Sequence, residues 1–437
     1  MSGGAEARAV EGWASRRGPR ANLSASGPLA RTTGADDLVI WAACVVSITM
    51  LLVIQWATSL DIGGVSTLVV ALFVAPWIVI AASQPRATVS GLSRGWLLLT
   101  LPVFALLSTA WSGYQPSTFK SANEYVLTTI VAIVAASCVR PRTLLSALLV
   151  ASAVVVAVSA GVNVARSTNV GLFGSKNYFG LSVAIMAPAG WAVAIDRFQP
   201  RIFRFVGVLA MVSAPALLVQ SASTGALICS FAAAAAVCAV LAVSRLEPIA
   251  RFALTVLLLA IGGILALVWL DVGDFSQLLN AAGKDTTLTG RTLLWSAAMA
   301  SIASHPVLGV GYQAYWQVGS WGAEQLWQLS YVTNKTGYHF HDTYLEVTVD
   351  LGLVGLAIFA LNLIAILLRV WRNVVFSRIT PEKMFGIYVI VLLLLRSPIE
   401  VDLFWQFQTP TIILCMAWIY LGAPPLMPSG DPARRVG

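Results

Sequence analysis

The sequence predicts an all-α fold, a polytopic membrane helical bundle of about twelve transmembrane helices with one long external loop that contains short helices. Of its 437 residues, 58% are hydrophobic and 11% are charged, and the mean hydropathy is +0.81. Soluble domains usually carry about 25% charged residues, so this composition excludes an ordinary soluble protein. Apolar runs of about 20 residues satisfy their backbone groups in lipid as helices, whereas a transmembrane barrel requires alternating strands of about ten residues. The sequence has the long runs and lacks the alternation.

Twelve apolar runs follow one another along the chain and mark the predicted helices. They lie at about residues 38–57, 62–83, 95–111, 124–139, 143–163, 178–195, 202–219, 225–244, 250–271, 344–368, 384–398 and 408–423. These runs divide the chain into five predicted segments. The segments are a disordered cytoplasmic tail (1–37), transmembrane helices 1–9 (38–271), a large external catalytic loop (272–343), transmembrane helices 10–12 (344–423) and a second cytoplasmic tail (424–437).

The distribution of basic residues sets the expected orientation of these helices. With the N-terminus in the cytoplasm, all but seven of the 27 lysines and arginines fall in cytoplasmic segments. We therefore expect a multi-pass protein of the cytoplasmic (inner) membrane, with both termini in the cytoplasm and the long loop outside. Each of the other seven is either a solvated loop charge or part of a site for an anionic ligand. The seven are Lys120, Arg166, Lys176, Lys284, Arg291, Lys335 and Arg396.

All three histidines of the chain lie in the long loop and just before the helix that follows it. Three motifs carry them or adjoin them: TGRTLLW at Thr289–Trp295, HPVLGVGY at His305–Tyr312 and HFHDTYLEVTVDLGLVG at His339–Gly355. The first motif begins a predicted helix, which Thr289 can cap. Thr343 and Glu346 form a predicted capping box at the start of the next helix. This gathering of histidines in one polar loop predicts a functional site there.

These motifs resemble the C-terminal block of the O-antigen ligase and polymerase superfamily of bacterial membrane proteins, particularly its exopolysaccharide-polymerase-like branch. The family pattern TGR-T-x-x-W is similar to residues 289–295, P-x-x-G-x-G-Y to residues 306–312, and H-N-x-x-L with a Gly-rich helix start to residues 341–355. Upstream, LSTAWSGYQPST (107–118) and GLFGSKNYFG (171–180) are also similar, and SASTGAL (221–227) matches more loosely. The resemblance covers most of the chain. One departure is Asp342, where the family usually has Asn.

The resemblance implies transfer of a glycan from an undecaprenyl pyrophosphate carrier onto a hydroxyl group at the outer face of the membrane. The implied partners are the lipid-linked oligosaccharide donor, a glycan or lipid acceptor, the membrane, and proteins that regulate chain length or export the product. Nucleic acid is not expected. A polymerase is favoured over a ligase because the His339–Leu345 stretch looks closer to the exopolysaccharide branch. Twelve spans also fit a polysaccharide or small-molecule transporter, although a transporter would carry more ionisable groups at its helix centres.

His341 and Arg291 are the predicted catalytic residues. A pyrophosphate leaving group requires fixed positive charge, and arginine donates bidentately to phosphate oxygens. Arg291 in the first turn of a helix would add backbone N–H groups to its own donors. The attacking sugar hydroxyl must lose a proton, which histidine accepts near neutral pH. The resemblance makes His341 this base, with Asp342 or Glu346 orienting or charging it, in one inverting displacement that requires no cofactor and no metal.

Further substrate-binding residues are predicted around these two. Arg166, Lys176 and Arg396 are candidate cations beside Arg291, and Asn177 either contacts pyrophosphate or caps the following helix. His339 either packs or contacts the acceptor, while His305 is expected to be structural. Glu400 and Asp402 follow Arg396 closely and would pair with it. The full predicted substrate-binding set is Arg166, Lys176, Asn177, Thr289, Tyr312, His339, Asp342, Glu346 and Arg396.

Three patterns in the same region have more than one interpretation. The His339-x-His341 pair suggests zinc, but two histidines require at least one further ligand. On a helix, Asp342, Glu346 and Asp350 share one stripe, which indicates either a water-filled cavity or a helix that starts later and leaves the first two in solvent. An aromatic cluster fits sugar stacking and an interfacial belt equally well. That cluster is Tyr312, Tyr315, Trp316, Trp321 and Trp327.

Overall fold

The computed structural model describes residues 34–59, 65–257, 291–329, 335 and 337–422. Within these ranges the chain forms fourteen α-helices and no strand, so the predicted fold class is confirmed. The helices are α1 (Gly34–Ser59), α2 (Val65–Ser83), α3 (Pro85–Leu107), α4 (Gln115–Cys138), α5 (Pro141–Arg166), α6 (Lys176–Ile195), α7 (Arg201–Gln220), α8 (Thr224–Val243), α9 (Pro248–Leu257), α10 (Arg291–Ser304), α11 (Trp321–Leu329), α12 (Thr343–Phe376), α13 (Pro381–Arg396) and α14 (Thr409–Gly422).

Nine of the described helices, α1 to α8 and α12, are long and apolar enough to cross a membrane. α9 and α14 are shorter apolar helices, and α13 has 16 residues. A helix stands at each of the twelve predicted apolar runs, although the run at 250–271 is described only as far as Leu257. The chain is therefore a multi-pass membrane protein.

The chain divides into two compact units, and the boundary falls inside α1 after Ile40. Of the first unit, the structure describes residues 34–40, which form the start of α1. The second unit, Trp41–Gly437, holds all the other helices. Within it, α6, α13 and α14 are the most thoroughly buried of the described helices, since most of their residues are buried. A helix of 14 or 16 residues in that interior does not face lipid along its whole length.

The helix α12 is broken at Gly352, which has φ 65° and ψ −167°. This backbone lies in a region that L side chains rarely adopt, and a Cβ there would overlap the carbonyl of Val307. The loop at 306–311 packs into the break. There it replaces the missing helical hydrogen bonds, because the N–H of Gly311 donates to the Asp350 carbonyl (2.9 Å) and the N–H of Leu353 donates to the Pro306 carbonyl (2.9 Å). The Gly-rich motif of the loop and the Gly-rich start of α12 are thus one structural unit.

Candidate functional site

The candidate site lies where α6, α8, α10 and α12 begin, against the loop that follows α13. This loop is fixed to the start of α12: the Thr343 N–H donates to the Ser397 carbonyl (2.9 Å), and the Thr343 hydroxyl donates to the Glu400 carbonyl (2.7 Å). The Tyr344 and Ser397 hydroxyls are also hydrogen-bonded at 2.9 Å. These contacts hold Glu400 beside the histidine motif, 59 residues away in sequence from His341.

Four side chains converge on the carboxylate of Glu400. Asn177 Nδ2 donates to Oε1 at 2.6 Å, and Arg291 Nη2 lies 3.3 Å from the same oxygen. His341 Nδ1 lies 3.3 Å from Oε2, and His339 Nε2 lies 3.9 Å from it. The carboxylate therefore joins the predicted base and the predicted pyrophosphate-binding arginine through its two oxygens. We call these five residues the Glu400 cluster.

The charges around Glu400 keep it ionised. Burial alone would raise the pKa of this carboxyl, but the hydrogen bond with His341 and the charges of His341, His339 and Arg396 together lower its pKa to about 2. An ionised carboxylate only accepts hydrogen bonds, so the contact with His341 requires a proton on Nδ1 of that ring. The other ring nitrogen, Nε2, then keeps its lone pair in the neutral histidine. That is the tautomer that a general base needs.

His341 is held in an unusual backbone conformation. Its φ is 54°, in the left-handed region that non-glycine residues rarely adopt. Its own N–H donates to Nδ1 of His339 at 3.1 Å, which stabilises this conformation. Its side chain remains 29% exposed, whereas the side chain of Glu400 is 10% exposed. Backbone strain of this kind is frequent at functional sites, where the surrounding structure holds it.

His339 is a buried, neutral support for His341. Burial, followed by the charges of His341 and Arg291, lowers the pKa of His339 to about 3 against the opposing effect of Glu400. Its ring packs edge-on against Trp405 at a centroid distance of 5.3 Å and lies 4.2 Å from the His341 ring. These contacts fit the packing interpretation of His339.

His339, His341 and Glu400 form a group that could hold a metal ion, with one ligand atom from each within 4.8 Å of the others. Glu400 is the third ligand that the sequence interpretation lacked. However, Nδ1 of His339 already accepts the His341 N–H, so Nε2 carries the proton of the neutral ring and has no lone pair for a metal. The Arg291 guanidinium also occupies the remaining carboxylate oxygen. In this arrangement a metal ion would have to displace the proton of His339 Nε2 and the contact between His341 and Glu400.

Arg291 is the first residue of α10, and its side chain is 21% exposed. Its contact with Glu400 uses one of the five N–H donors of a guanidinium, which leaves donors for an anionic ligand. The position of α10 is fixed by the Trp295 indole N–H, which donates to the Phe340 carbonyl at 3.0 Å. Phe340 lies between the two histidines, so the same contact aligns the start of α10 with them. Thr289, the predicted cap, lies outside the described residues.

Asn177 takes part in the cluster by side-chain contact, while the neighbouring cations stay free. Asn177 Oδ1 accepts a hydrogen bond from the Ser223 hydroxyl at 3.0 Å, and this fixes the amide so that Nδ2 faces Glu400. Ser175, not Asn177, caps α6, since its hydroxyl accepts from the Asn177 N–H at 3.2 Å. Lys176 and Arg166 are exposed and make no ion pair with the described residues. They flank the loop between α5 and α6.

The structure does not support two of the predicted substrate-binding residues. Arg396 is 1% exposed. Its guanidinium donates to the carboxylate of Asp402, from Nε to Oδ2 at 2.6 Å and from Nη2 to Oδ1 at 3.4 Å. Tyr312 is completely buried; its hydroxyl lies 2.9 Å from the Phe404 carbonyl, and its ring stacks on Tyr125 at 5.5 Å. Both side chains are enclosed by protein and present no surface to a substrate.

The two acidic residues expected to orient His341 are used elsewhere. Asp342 is the N-cap of α12, where its carboxylate accepts from the N–H groups of Tyr344 (2.8 Å) and Leu345 (3.0 Å). The predicted cap at Thr343 was therefore one residue late. Glu346 is buried and accepts from the Phe340 N–H at 2.8 Å. Its burial together with that of Asp350 also shows that the acidic stripe faces packed protein.

The aromatic cluster of the long loop separates into two groups. Tyr312, Trp316 and Trp327 are buried, and the last two belong to the hydrophobic core of the loop. Tyr315 is half-buried, and Trp321 is 76% exposed. Sequence reasoning did not place Glu400 beside Arg291, Asn177 and the histidines, because Arg396 seemed its natural partner. A signal for its position was present in the loop after α13. This loop carries two carboxylates, Glu400 and Asp402, and one of them is sufficient to pair with Arg396.

Comparison with known proteins shows which proteins this chain resembles. The O-antigen ligase family (Wzy_C) matches residues 206–360, a range that includes Arg291 and both histidines of the cluster. The exopolysaccharide production protein ExoQ of Rhizobium meliloti (strain 1021) is 26% identical over 347 residues, which cover 77% of this chain and 79% of that protein. The resemblance to the O-antigen ligase and polymerase superfamily that the sequence motifs indicate is confirmed.

Proposed function

We propose that this protein is a glycosyltransferase that moves undecaprenyl-pyrophosphate-linked oligosaccharide units onto an acceptor hydroxyl at the outer face of the cytoplasmic membrane. The observation that carries the proposal is the convergence of His341 and Arg291 on the two oxygens of Glu400. A base and a phosphate-binding cation side by side suit displacement of a pyrophosphate by a hydroxyl. A transporter would not require this arrangement.

In the proposed reaction, His341 is the general base. Its Nε2 accepts the proton of the acceptor hydroxyl while the acceptor oxygen forms a bond to the anomeric carbon of the donor sugar. The bond from that carbon to the pyrophosphate oxygen breaks in the same displacement, so the configuration inverts. Glu400 holds the ring through Nδ1 and stabilises the imidazolium that forms. Such general-base assistance typically contributes about 10²–10⁴ in rate.

Arg291 is the proposed ligand of the leaving group. Negative charge develops on the pyrophosphate as the bond breaks, and a fixed guanidinium stabilises that charge without reorganisation. The N–H groups of the first turn of α10 add to it. Lys176 and Arg166 are proposed as further cations because both remain unpaired among the described residues near the start of α6. The released undecaprenyl pyrophosphate stays in the membrane.

A polymerase is favoured over a ligase within this proposal. The relative named above is an exopolysaccharide production protein, and its similarity extends over most of the chain. In a polymerase the acceptor is a second lipid-linked unit, and the product grows by repeated transfer. In a ligase the acceptor is a different molecule, and one donor glycan is consumed for each acceptor.

The test is a transfer assay with the purified protein in detergent, a synthetic undecaprenyl-pyrophosphate oligosaccharide and excess EDTA. We expect a ladder of longer lipid-linked glycans from the wild type, and its loss in His341→Ala and Arg291→Ala. Lys120→Ala is the matched control for the arginine, since Lys120 is an exposed cation outside the cluster, and it should keep the ladder. Transfer to an added acceptor without a ladder would favour the ligase. No glycan transfer by the wild type to any acceptor would overturn the proposal.

A further inference from the structure

A groove of about 890 Å³ runs along one side of α10. Its walls are α10, the loop at 309–315, α11 and the turn that precedes α4. This volume lies within the usual range of ligand sites, about 300–1,000 Å³. The residues that line it include none of the five in the Glu400 cluster, so the groove is separate from the site described above.

The lining of the groove combines aliphatic, aromatic and polar residues and carries no Asp, Glu, Lys or Arg, and its one histidine is His305. Its aromatic rings include those of Tyr114, Tyr315 and Trp321, and its polar groups include those of Gln325 and of serines of α10. The side chains of these three aromatic residues and of Gln325 form no hydrogen bond with the described part of the chain. Their donors and acceptors are therefore open to a ligand.

This chemistry selects among ligands. A pyrophosphate or an anionic lipid headgroup would find no lysine or arginine, and a hydrocarbon chain would leave the Gln325 amide and the tyrosine hydroxyls without partners. An uncharged sugar satisfies both parts of the lining, because its C–H face packs on an aromatic ring while its hydroxyls hydrogen-bond to the polar groups. The lining thus matches neutral sugar residues.

One wall of the groove packs against the residue between the two histidines. Tyr315 forms this wall, and its ring lies 4.8 Å from the ring of Phe340, which is completely buried. Leu293 lines the groove two residues after Arg291, so the groove follows the face of α10 opposite that arginine. It continues along α10 to Ser304, and a helix of 14 residues is about 20 Å long. A glycan chain that extends past Tyr315 would have room for several sugars along this helix.

We infer that this groove binds uncharged sugar residues of the glycan that are remote from the bond being formed. The inference rests on the proposed function, and it adds a second binding site to it. Sugars held in the groove keep the chain on the enzyme between transfers. The groove therefore controls substrate affinity and product length, whereas the Glu400 cluster controls the chemical step.

Trp321→Ala and Gln325→Ala test this inference. Trp321 is 76% exposed, so its removal leaves the fold intact. We expect a shorter product ladder and a KM raised about tenfold, with the rate of the first transfer at saturating substrate within about twofold of the wild type. A tenfold change corresponds to about 1.4 kcal/mol of binding free energy. Phe119→Ala is the matched control, since Phe119 is an aromatic side chain of α4, 55% exposed, and does not line the groove.

A second measurement separates failure of the inference from failure of the proposed function. The oligosaccharide is released from its lipid carrier by mild acid and titrated into the wild type and the variants by calorimetry. Saturable binding that Trp321→Ala weakens supports the groove even if no transfer activity is found. Absence of binding to the wild type overturns the inference, as does binding that both groove variants retain. An unchanged ladder and KM in both groove variants, in a wild type that polymerises, also overturns it.

Discussion

Two cation–carboxylate pairs share the loop after α13, and they differ in how completely each is closed. Arg396 and Asp402 are 2% and 3% exposed and lie 2.6 Å apart. Arg291 and Glu400 are 21% and 10% exposed and lie 3.3 Å apart. The carboxylates are two positions apart in sequence, yet one pair is sealed in protein while the other also contacts two histidines and an asparagine.

We interpret the first pair as structural and propose that the second is functional. In the buried pair, each charge offsets the desolvation of the other, and no donor of the arginine can reach a ligand. In the partly exposed Arg291–Glu400 pair, Arg291 keeps donors that the contact with Glu400 does not use, and Glu400 links it to His341, the proposed base. Sequence proximity would assign both carboxylates to Arg396. Only the packing distinguishes the arginine that stabilises the fold from the one that we propose binds pyrophosphate.

The largest expected effect is on catalysis at the Arg291–Glu400 pair. We expect His341→Ala to lower the transfer rate about 10²–10⁴-fold, because the acceptor hydroxyl loses its base. The side chain is 29% exposed, so the thermal unfolding temperature should stay close to that of the wild type. Initial rates with a lipid-linked donor, measured beside a fluorescence melting curve, check both statements. A variant with a near-normal rate would remove His341 from the chemistry.

The second largest effect is expected on protein stability, at the Arg396–Asp402 pair. Arg396→Leu leaves Asp402 buried without a partner, which typically costs about 3–5 kcal/mol. We expect a large drop in unfolding temperature or loss of folded protein during purification. The double variant Arg396→Leu with Asp402→Leu removes both charges and should regain much of the stability. If Arg396→Leu unfolds like the wild type but loses transfer, the arginine belongs to the site after all.

A smaller effect concerns the pH dependence of stability. His339 has a folded pKa of about 3, below the value of about 6.5 expected in an unfolded chain, so the unfolded state binds more protons between these limits. The free energy of unfolding should therefore fall as pH falls below about 6.5, by at most about 1.4 kcal/mol per pH unit. Glu400, with its pKa lowered to about 2, adds to this loss below about pH 4.5.

The variant His339→Asn isolates the histidine contribution. An Asn side-chain oxygen can accept the His341 N–H in place of Nδ1, and it does not titrate. Unfolding temperatures from pH 7 to pH 4.5 should decline less steeply in this variant than in the wild type. Equal slopes in the two proteins would show that the buried histidine does not control acid stability.

The smallest effect is expected at an exposed pair of the long loop. Lys335 Nζ lies 2.6 Å from Glu324, and the side chains are 38% and 28% exposed. The hydrogen bond with Lys335, together with the Gly319 N–H, lowers the pKa of Glu324. Exposed ion pairs contribute little to stability, so Lys335→Ala should change neither the unfolding temperature nor the transfer rate measurably. A clear loss of transfer would place Lys335 among the substrate-binding cations.

The sequence predicted the helices well because their signal is local. Each apolar run is long enough to require a helix in lipid, and proline begins several of the helices, as at Pro85 and Pro141. The break in α12 was not predicted. It depends on the loop at 306–311, which is distant in sequence and supplies the N–H and carbonyl groups that pair with the broken helix.

The candidate site was predicted in part. Arg291, His341 and Asn177 do come together, as motifs of fixed chemistry indicated. Glu400 was not chosen because nothing in the sequence says which of two neighbouring carboxylates turns toward Arg396. Tyr312 and Arg396 were chosen because their residue types suit sugars and phosphates, whereas their complete burial is a property of the packed bundle.

The most direct test compares two single variants, Glu400→Gln and Asp402→Asn. In each of them, one carboxylate of the loop after α13 is replaced by its amide. Each change removes one charge and keeps the volume, so the two variants differ only in the pair that they affect. We predict that Glu400→Gln stays folded, with a moderate fall in unfolding temperature because the ionised carboxylate stabilises the folded state, and loses at least about tenfold in transfer rate, the equivalent of one pKa unit of charge stabilisation. Asp402→Asn should lower the unfolding temperature further, because it leaves Arg396 buried without its partner. A Glu400→Gln variant with wild-type transfer, or an Asp402→Asn variant that folds normally but does not transfer, would contradict this account.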